Sequence, residues 1–177
     1  MLIAACGAGG TGKTTTMQAL AAATGLPFIP SASRAVFARR GLKETDQNSM
    51  TPQEQWDLQQ EIFAAREELE ARTTEGIADR TLFDQVAYNL LRAPSIMTEP
   101  VLSDLCNRAW NATMKYDKVF YFPLTTFGTS ADGMRDMAYG TRFNFDAILQ
   151  SLLQGQQHIR VPICSVRERV QFILGEI

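Results

Sequence analysis

The chain has 177 residues, 45% of them hydrophobic, and a formal net charge of −2 from 17 basic and 19 acidic side chains. That length suits one domain, residues 1–177, with enough apolar mass for a core. The slight acidity argues against a strong non-specific nucleic-acid binder, whose affinity rests on neutralising phosphates, and leaves room only for a local basic patch. Cys6, Cys106 and Cys164 are odd in number and show no C-x-x-C spacing, so we expect reduced, mostly core cysteines. No run of eighteen apolar residues occurs, and the apolar start leads straight into a glycine-rich loop, so neither membrane span nor signal peptide is expected and a cytoplasmic location is.

In chain order, Leu2-Ile3-Ala4-Ala5 reads as a strand with Cys6 at its end. It runs into Gly7-Ala8-Gly9-Gly10-Thr11-Gly12-Lys13-Thr14, which fits G-x-x-x-x-G-K-[ST], and a helix-forming stretch from Lys13 to Ala23 runs out. Small residues let a backbone wrap a phosphate chain with its N–H groups inward, and the helix N-terminus adds partial positive charge. Gly7, Ala8, Gly9, Gly10, Thr11, Gly12, Lys13, Thr14 and Thr15 are therefore the expected nucleotide contacts. Lys13 should reach the β and γ phosphates, and Thr14 should ligate magnesium. ATP and Mg²⁺ are the expected cofactors.

Leu26–Pro30 reads as a short strand, Ser33–Arg40 as a helix stopped by Gly41, and 43–50 as a polar surface loop. Thr51, Pro52 and Glu54 open a helix that runs to about Arg72, with Leu58, Ile62, Ala65 and Leu69 on one face. Glu75–Arg80 is a buried strand ending in two charges, and Thr81 caps the next helix, which Pro94 closes. Helix Thr98–Lys115, strand Lys118–Phe122, a glycine- and arginine-rich lid over about 125–142, helix Thr141–Gln154 and strand Ile159–Val161 follow. Ser165-x-x-Glu168 starts a terminal helix with Val166, Val170 and Leu174 on one side. Alternating strands and helices imply an α/β fold of three layers, with a mostly parallel sheet of about five strands and a mobile lid. Ligands should bind beyond the carboxyl ends of the strands.

Asp79 lies at such a strand end, where a carboxylate can hold a metal or a metal-bound water, or take the proton of an attacking hydroxyl. Arg80 can clamp an anionic acceptor or the moving phosphoryl group. Arg34 lies at the same edge and is a candidate acceptor contact; Arg39, Arg40 and Lys43 beside it read equally as a solvated basic face. Arg135 and Arg142 are candidate catalytic arginines of the lid, which would exclude water from the transfer. Trp56, Phe37, Phe63 and Tyr88 read as core rather than as stacking platforms, and His158, lacking a second ligand, as structural.

These residues resemble those of the P-loop kinases around thymidylate kinase and the ribosylnicotinamide kinase-like ATPases. The resemblance rests on Gly7–Thr14, Ser33-Arg34, Ala78-Asp79-Arg80 with Asp84 and Tyr88, Asp132-Gly133-x-Arg135, and Ser165-Val166-x-x-Arg169. It implies that Asp79 is the base, Arg80 an acceptor contact, and Arg135 and Arg142 phosphate contacts. Arg169, in the terminal turn, would border the nucleotide. An acidic residue often stands three places before the arginine at Arg34; here Ser31 stands there. The Asp79–Tyr88 segment is also similar to small bacteriophage kinases that phosphorylate 5-hydroxymethyl-deoxyuridine in DNA, a step in thymidine hypermodification, and that likeness implies host cytoplasm. The expected activity is transfer of the γ-phosphate to a nucleoside-type acceptor, free or within DNA. A deoxynucleoside monophosphate kinase, a small-metabolite kinase and a non-kinase nucleotide switch are the alternatives. No membrane partner is expected, and a homodimer stays open beside a monomer.

Overall fold

A computed structural model describes residues 1–124 and 138–177. Its elements are β1 (Leu2–Cys6), α1 (Lys13–Thr24), β2 (Phe28–Ile29), α2 (Ala32–Arg40), a 3-10 stretch (Glu44–Ser49), α3 (Pro52–Arg72), β3 (Gly76–Asp79), α4 (Leu82–Arg92), α5 (Glu99–Thr113), β4 (Lys118–Tyr121), α6 (Tyr139–Leu152), a 3-10 turn (Leu153–Gly155), β5 (Ile159–Arg160) and α7 (Val166–Glu176).

The five strands form one parallel sheet in the order β2-β3-β1-β4-β5. Strand periodicity decides which side chains face which layer. Phe120 and Phe122, with Ile3 and Ala5, pack under Met17 and Leu20 of α1 and Ile173 of α7. On the opposite face, Val119 and Tyr121 pack with Phe83 and Val86 of α4, Leu105 of α5 and Phe145 of α6. Both faces of the sheet are thus covered, as parallel sheets require, and the three-layer α/β expectation holds. Among the described residues no helix is long and apolar enough to cross a membrane.

The helix punctuation follows the local chemistry. Thr51 and Glu54 form a reciprocal capping box, as do Ser165 and Glu168. Gly41 ends α2 in the left-handed conformation.

Four expectations need correction. Residues 44–49 are not an open loop: a 3-10 stretch buries Gln47, whose backbone carbonyl accepts from Gln55 Nε2 at 2.8 Å. The terminal helix packs with Val170 and Ile173, while Leu174 faces solvent, because α7 meets α1 one position out of the expected phase. Cys164 is only half-buried, its thiol turned to the carbonyl of Pro162 in the turn before α7; Cys6 is fully buried, as expected. The expected lid ends too late, since Tyr139–Arg142 already belongs to α6. Its remainder at 125–137, with Asp132, Gly133 and Arg135, lies outside the described residues.

Gly76 opens β3 at φ +138°, and a Cβ there would stand 2.7 Å from the carbonyl oxygen of Pro27. Gly76→Ala should therefore destabilise the chain by about 1–3 kcal/mol, read as a lower urea midpoint. Nucleotide affinity of the folded protein should not change, because Gly76 sits at the end of β3 remote from the glycine loop.

Candidate active site

Strand β1 carries the glycine loop and β3 carries Asp79. The two strands are neighbours in register, Ala5 opposite Asp79, so the glycine loop and Asp79 leave the sheet side by side. Gly7 turns the chain at φ +138°, where a Cβ would lie 2.4 Å from the carbonyl oxygen of Phe122. Only glycine permits that close pass beside β4. Gly12, also left-handed, then starts α1.

The Thr14 hydroxyl donates to Asp79 Oδ2 at 2.6 Å. Asp79 is buried, and its other oxygen, Oδ1, has no hydrogen-bond partner. With its proton committed to Asp79, the Thr14 oxygen keeps its lone pairs for another ligand. A buried anionic oxygen without a donor beside a hydroxyl oxygen fits a hard cation. Among the described residues no cluster of three His, Cys, Asp or Glu exists. Mg²⁺ binds through one or two protein oxygens plus phosphates and water, and Thr14 Oγ1 and Asp79 Oδ1 are oxygens of that kind.

Asp84, fully buried on α4, anchors the surroundings. Its Oδ1 accepts from Gly7 N (3.2 Å) and Arg80 Nη1 (3.1 Å), and its Oδ2 accepts from Thr81 N (2.9 Å) and Thr81 Oγ1 (3.0 Å). Arg80, between them, is the one non-glycine residue with positive φ, at 90°, among those described. Such a conformation persists only where the surroundings over-determine it. Here Arg80 N donates to Ala5 O at 2.9 Å, and Arg66 Nη2 donates to Arg80 O at 2.6 Å. Arg66, on α3, is buried; its Nε pairs with Glu70 at 2.7 Å and its Nη2 also reaches Tyr116 Oη at 2.9 Å.

The Arg80 side chain leaves this strained backbone toward the loop. Its Nη2 donates to Tyr88 Oη at 3.3 Å and the guanidinium lies 5.2 Å from the Tyr88 ring centre. Burial alone would lower the Arg80 pKa; the neighbouring Tyr88, Asp84 and Asp79 more than reverse that, and it stays a cation. Burial pushes the Tyr88 phenol up to about 12, with Arg80 opposing, so its proton is kept. The Cys6 thiol beneath the loop is pushed up by burial, first of all, and by Asp84; it is an inert thiol.

Four loop carbonyls each face a cation. Lys13 Nζ donates to Ala8 O at 2.6 Å, Arg142 Nε to Gly9 O at 2.9 Å, Arg169 Nη1 to Thr11 O at 2.8 Å, and Arg80 Nη1 to Gly7 O at 3.5 Å. Arg142 Nη2 and Arg169 Nε are buried without partners. Arg142 is thus a residue of helix α6 laid against the loop rather than of a lid. Outward from the loop opens a cleft of about 480 Å³, lined by Lys13, Thr14, Thr15, Asp79 and Arg80 on one side and Ser33, Arg34 and Phe37 on the other. Arg39 and Arg40 are not in it; both pair with Glu61 of α3.

Of the sequence candidates, the structure brings together the glycine loop, Thr15, Asp79, Arg80, Arg142, Arg169 and, across the cleft, Arg34. Arg66 was missed, and Asp84 was noticed only through resemblance. A signal for Arg66 exists: with Gln59, Ile62, Phe63 and Glu70 it continues one helical stripe, and all of these are buried.

This sheet, loop and strand-end carboxylate define a P-loop nucleoside triphosphatase of kinase-like fold. Residues 2–169 match the family model described as an AAA domain, and the chain belongs to that family. No curated protein sequence matches it. Among solved structures it is similar to NadR in complex with NR, at 15% identity and TM-score 0.68, over 98% of this chain and 49% of NadR. This chain therefore spans about half of NadR. It is also similar to deoxyadenosine kinase from M. mycoides, at 16% identity and TM-score 0.66, over 99% of this chain and 97% of that one. Shikimate kinase from Aquifex aeolicus matches at 15% identity and TM-score 0.58, over 98% and 94%. Identities this low show the shared fold alone.

Arg66→Met would strand buried Glu70 and free the carbonyls of Asp79 and Arg80. It should cost about 3–5 kcal/mol in a urea titration, and Arg66→Met with Glu70→Leu should recover part of that loss. A single-variant loss under about 1 kcal/mol would remove Arg66 as the clamp.

Proposed function

We propose that this chain is an ATP-dependent phosphotransferase that moves the γ-phosphoryl group to a small nucleoside-type acceptor. The observation that carries this reading is the continuity of the cleft. One hollow joins Lys13, Thr14 and Asp79 to Ser33, Arg34 and Phe37, with Arg80 fixed between the two sides. A protein that only bound or hydrolysed a nucleotide has no need of a second, shaped side. The kinase folds it resembles, including deoxyadenosine kinase, are consistent with this reading.

In this reading Lys13, Arg142 and Arg169 exchange loop carbonyls for phosphate oxygens, gaining stronger charge-assisted hydrogen bonds. Thr14 and Asp79 would hold Mg²⁺, which would supply neutralising charge to the phosphates. Arg80, held by Asp84, faces the γ-phosphoryl group as charge develops on it. Asp79 then acts chiefly on the metal side, because one of its oxygens already accepts from Thr14; that narrows the role as base implied by resemblance. Arg34 takes the phosphate of a monophosphate acceptor, and Arg135 remains a candidate phosphate contact by resemblance. Arg39 and Arg40, which a DNA acceptor would use, are engaged with Glu61. That favours a free nucleoside or nucleoside monophosphate over 5-hydroxymethyl-deoxyuridine in DNA.

The test supplies Mg²⁺ and γ-labelled ATP with deoxynucleosides, deoxynucleoside monophosphates and duplex DNA containing 5-hydroxymethyluracil. Label in a free acceptor is expected; label only in DNA would reverse the acceptor choice, and release only as inorganic phosphate with every acceptor would refute transfer. Asp79→Asn should lower kcat by about 100-fold or more while ATP affinity, read by calorimetry, changes little. Lys13→Ala should abolish transfer and leave the thermal unfolding midpoint near that of the parent, since Lys13 bonds the loop and not the core.

A further inference from the structure

Beyond Arg80 the cleft continues into a recess of about 30 Å³, walled by Phe37, Ile62, Gln47, Gln59, Gln85 and Tyr88. Two of its three amides are bonded to each other. Gln59 Nε2 donates to Gln47 Oε1 at 2.6 Å, and Gln47 Nε2 donates to Glu44 O at 3.0 Å. Tyr88 Oη already accepts from Arg80. Gln85 is the exception. It is 2% exposed, and its Oε1 has no hydrogen-bond partner. It lies one residue after Asp84, so the anchored start of α4 fixes where it stands. A buried acceptor left unpaired costs about 1–3 kcal/mol, which a bound donor recovers.

The recess has room for little more than a water molecule, so only the edge of an acceptor enters it while the body lies in the larger cleft. Phe37 supplies a flat aromatic wall and Ile62 an aliphatic one, and both suit an apolar ring face. We propose that Gln85 Oε1 recognises an N–H or amino donor on the edge of a planar nitrogen heterocycle, so that the acceptor is a base-bearing molecule. This rests on the cleft being the acceptor site of the proposed kinase.

The experiment measures binding by calorimetry without ATP, and so is independent of phosphoryl transfer. Deoxyadenosine is compared with N6,N6-dimethyl-deoxyadenosine, and thymidine with N3-methylthymidine. At least one parent nucleoside should bind, and its methylated partner about tenfold more weakly. Gln85→Leu should weaken the parent by a similar factor and erase the discrimination, while Gln85→Glu, which keeps acceptor oxygens, should retain it. The Gln85→Leu unfolding midpoint should not fall, because an unpaired buried acceptor has been replaced by an apolar group; a purely structural glutamine would give a lower midpoint with discrimination intact. No binding by either parent, equal binding of the methylated compounds, or discrimination surviving in Gln85→Leu overturns the inference and leaves the recess to solvent. Gln85-dependent binding with no labelled product would instead refute the kinase reading alone.

Discussion

The carboxylate of Asp84 is the point on which the site depends. Four donors converge on two oxygens: the N–H of Gly7 at the loop's start, the Arg80 guanidinium, and the N–H and hydroxyl of Thr81. A buried anion is tolerated only when its lone pairs are satisfied this fully. Those bonds tie the glycine loop to the end of β3 and to the start of α4. They also hold the strained backbone at Arg80 from the front, as Arg66 holds it from behind. Moving Asp84 would therefore move the glycine loop, the end of β3 and the Arg80 guanidinium together.

That anchoring lets the loop keep its cations in place. Lys13, Arg142 and Arg169 each bond a loop carbonyl, and Arg80 approaches a fourth. In the proposed phosphotransfer, phosphate oxygens take the places of these backbone carbonyls. Exchanging a neutral oxygen for an anionic one strengthens each bond without a long search, and little rotamer entropy remains to be lost on binding. Preorganised positive charge is what phosphoryl transfer requires of a protein, since the reaction asks for positioning and electrostatics rather than new covalent chemistry.

How much of this was legible follows from how local each signal is. The glycine loop, the Asp79-Arg80 pair and the capping boxes at Thr51 and Ser165 are contiguous patterns whose chemistry is complete within a few residues. The alternation of strands and helices carries the three-layer fold in the same way. Arg66 is different: Arg and Glu four apart look like a solvated surface pair, and although they continue the stripe of Ile62 and Phe63, their bonds to the end of β3 and to Tyr116 come from distant segments. Arg142, a phosphate candidate, was placed in a lid rather than on α6 against the glycine loop, because the helix that carries it opens with Tyr139-Gly140, which reads as loop. Gln85 and Gln47 gave no signal at all, since an amide's role depends on which partners the fold withholds. The pairing of Arg39 and Arg40 with Glu61 joins α2 to α3, out of reach of any local pattern.

The most direct test of the account is a crystal structure with Mg²⁺ and a non-hydrolysable ATP analogue. The account predicts that Lys13 Nζ leaves the Ala8 carbonyl for a phosphate oxygen, that the metal lies on Thr14 Oγ1 on the Asp79 side, and that Arg80 stays on Asp84 facing the γ position. A nucleotide bound away from Gly7–Thr14, or a loop that keeps Lys13 on Ala8 with the analogue in place, would contradict it.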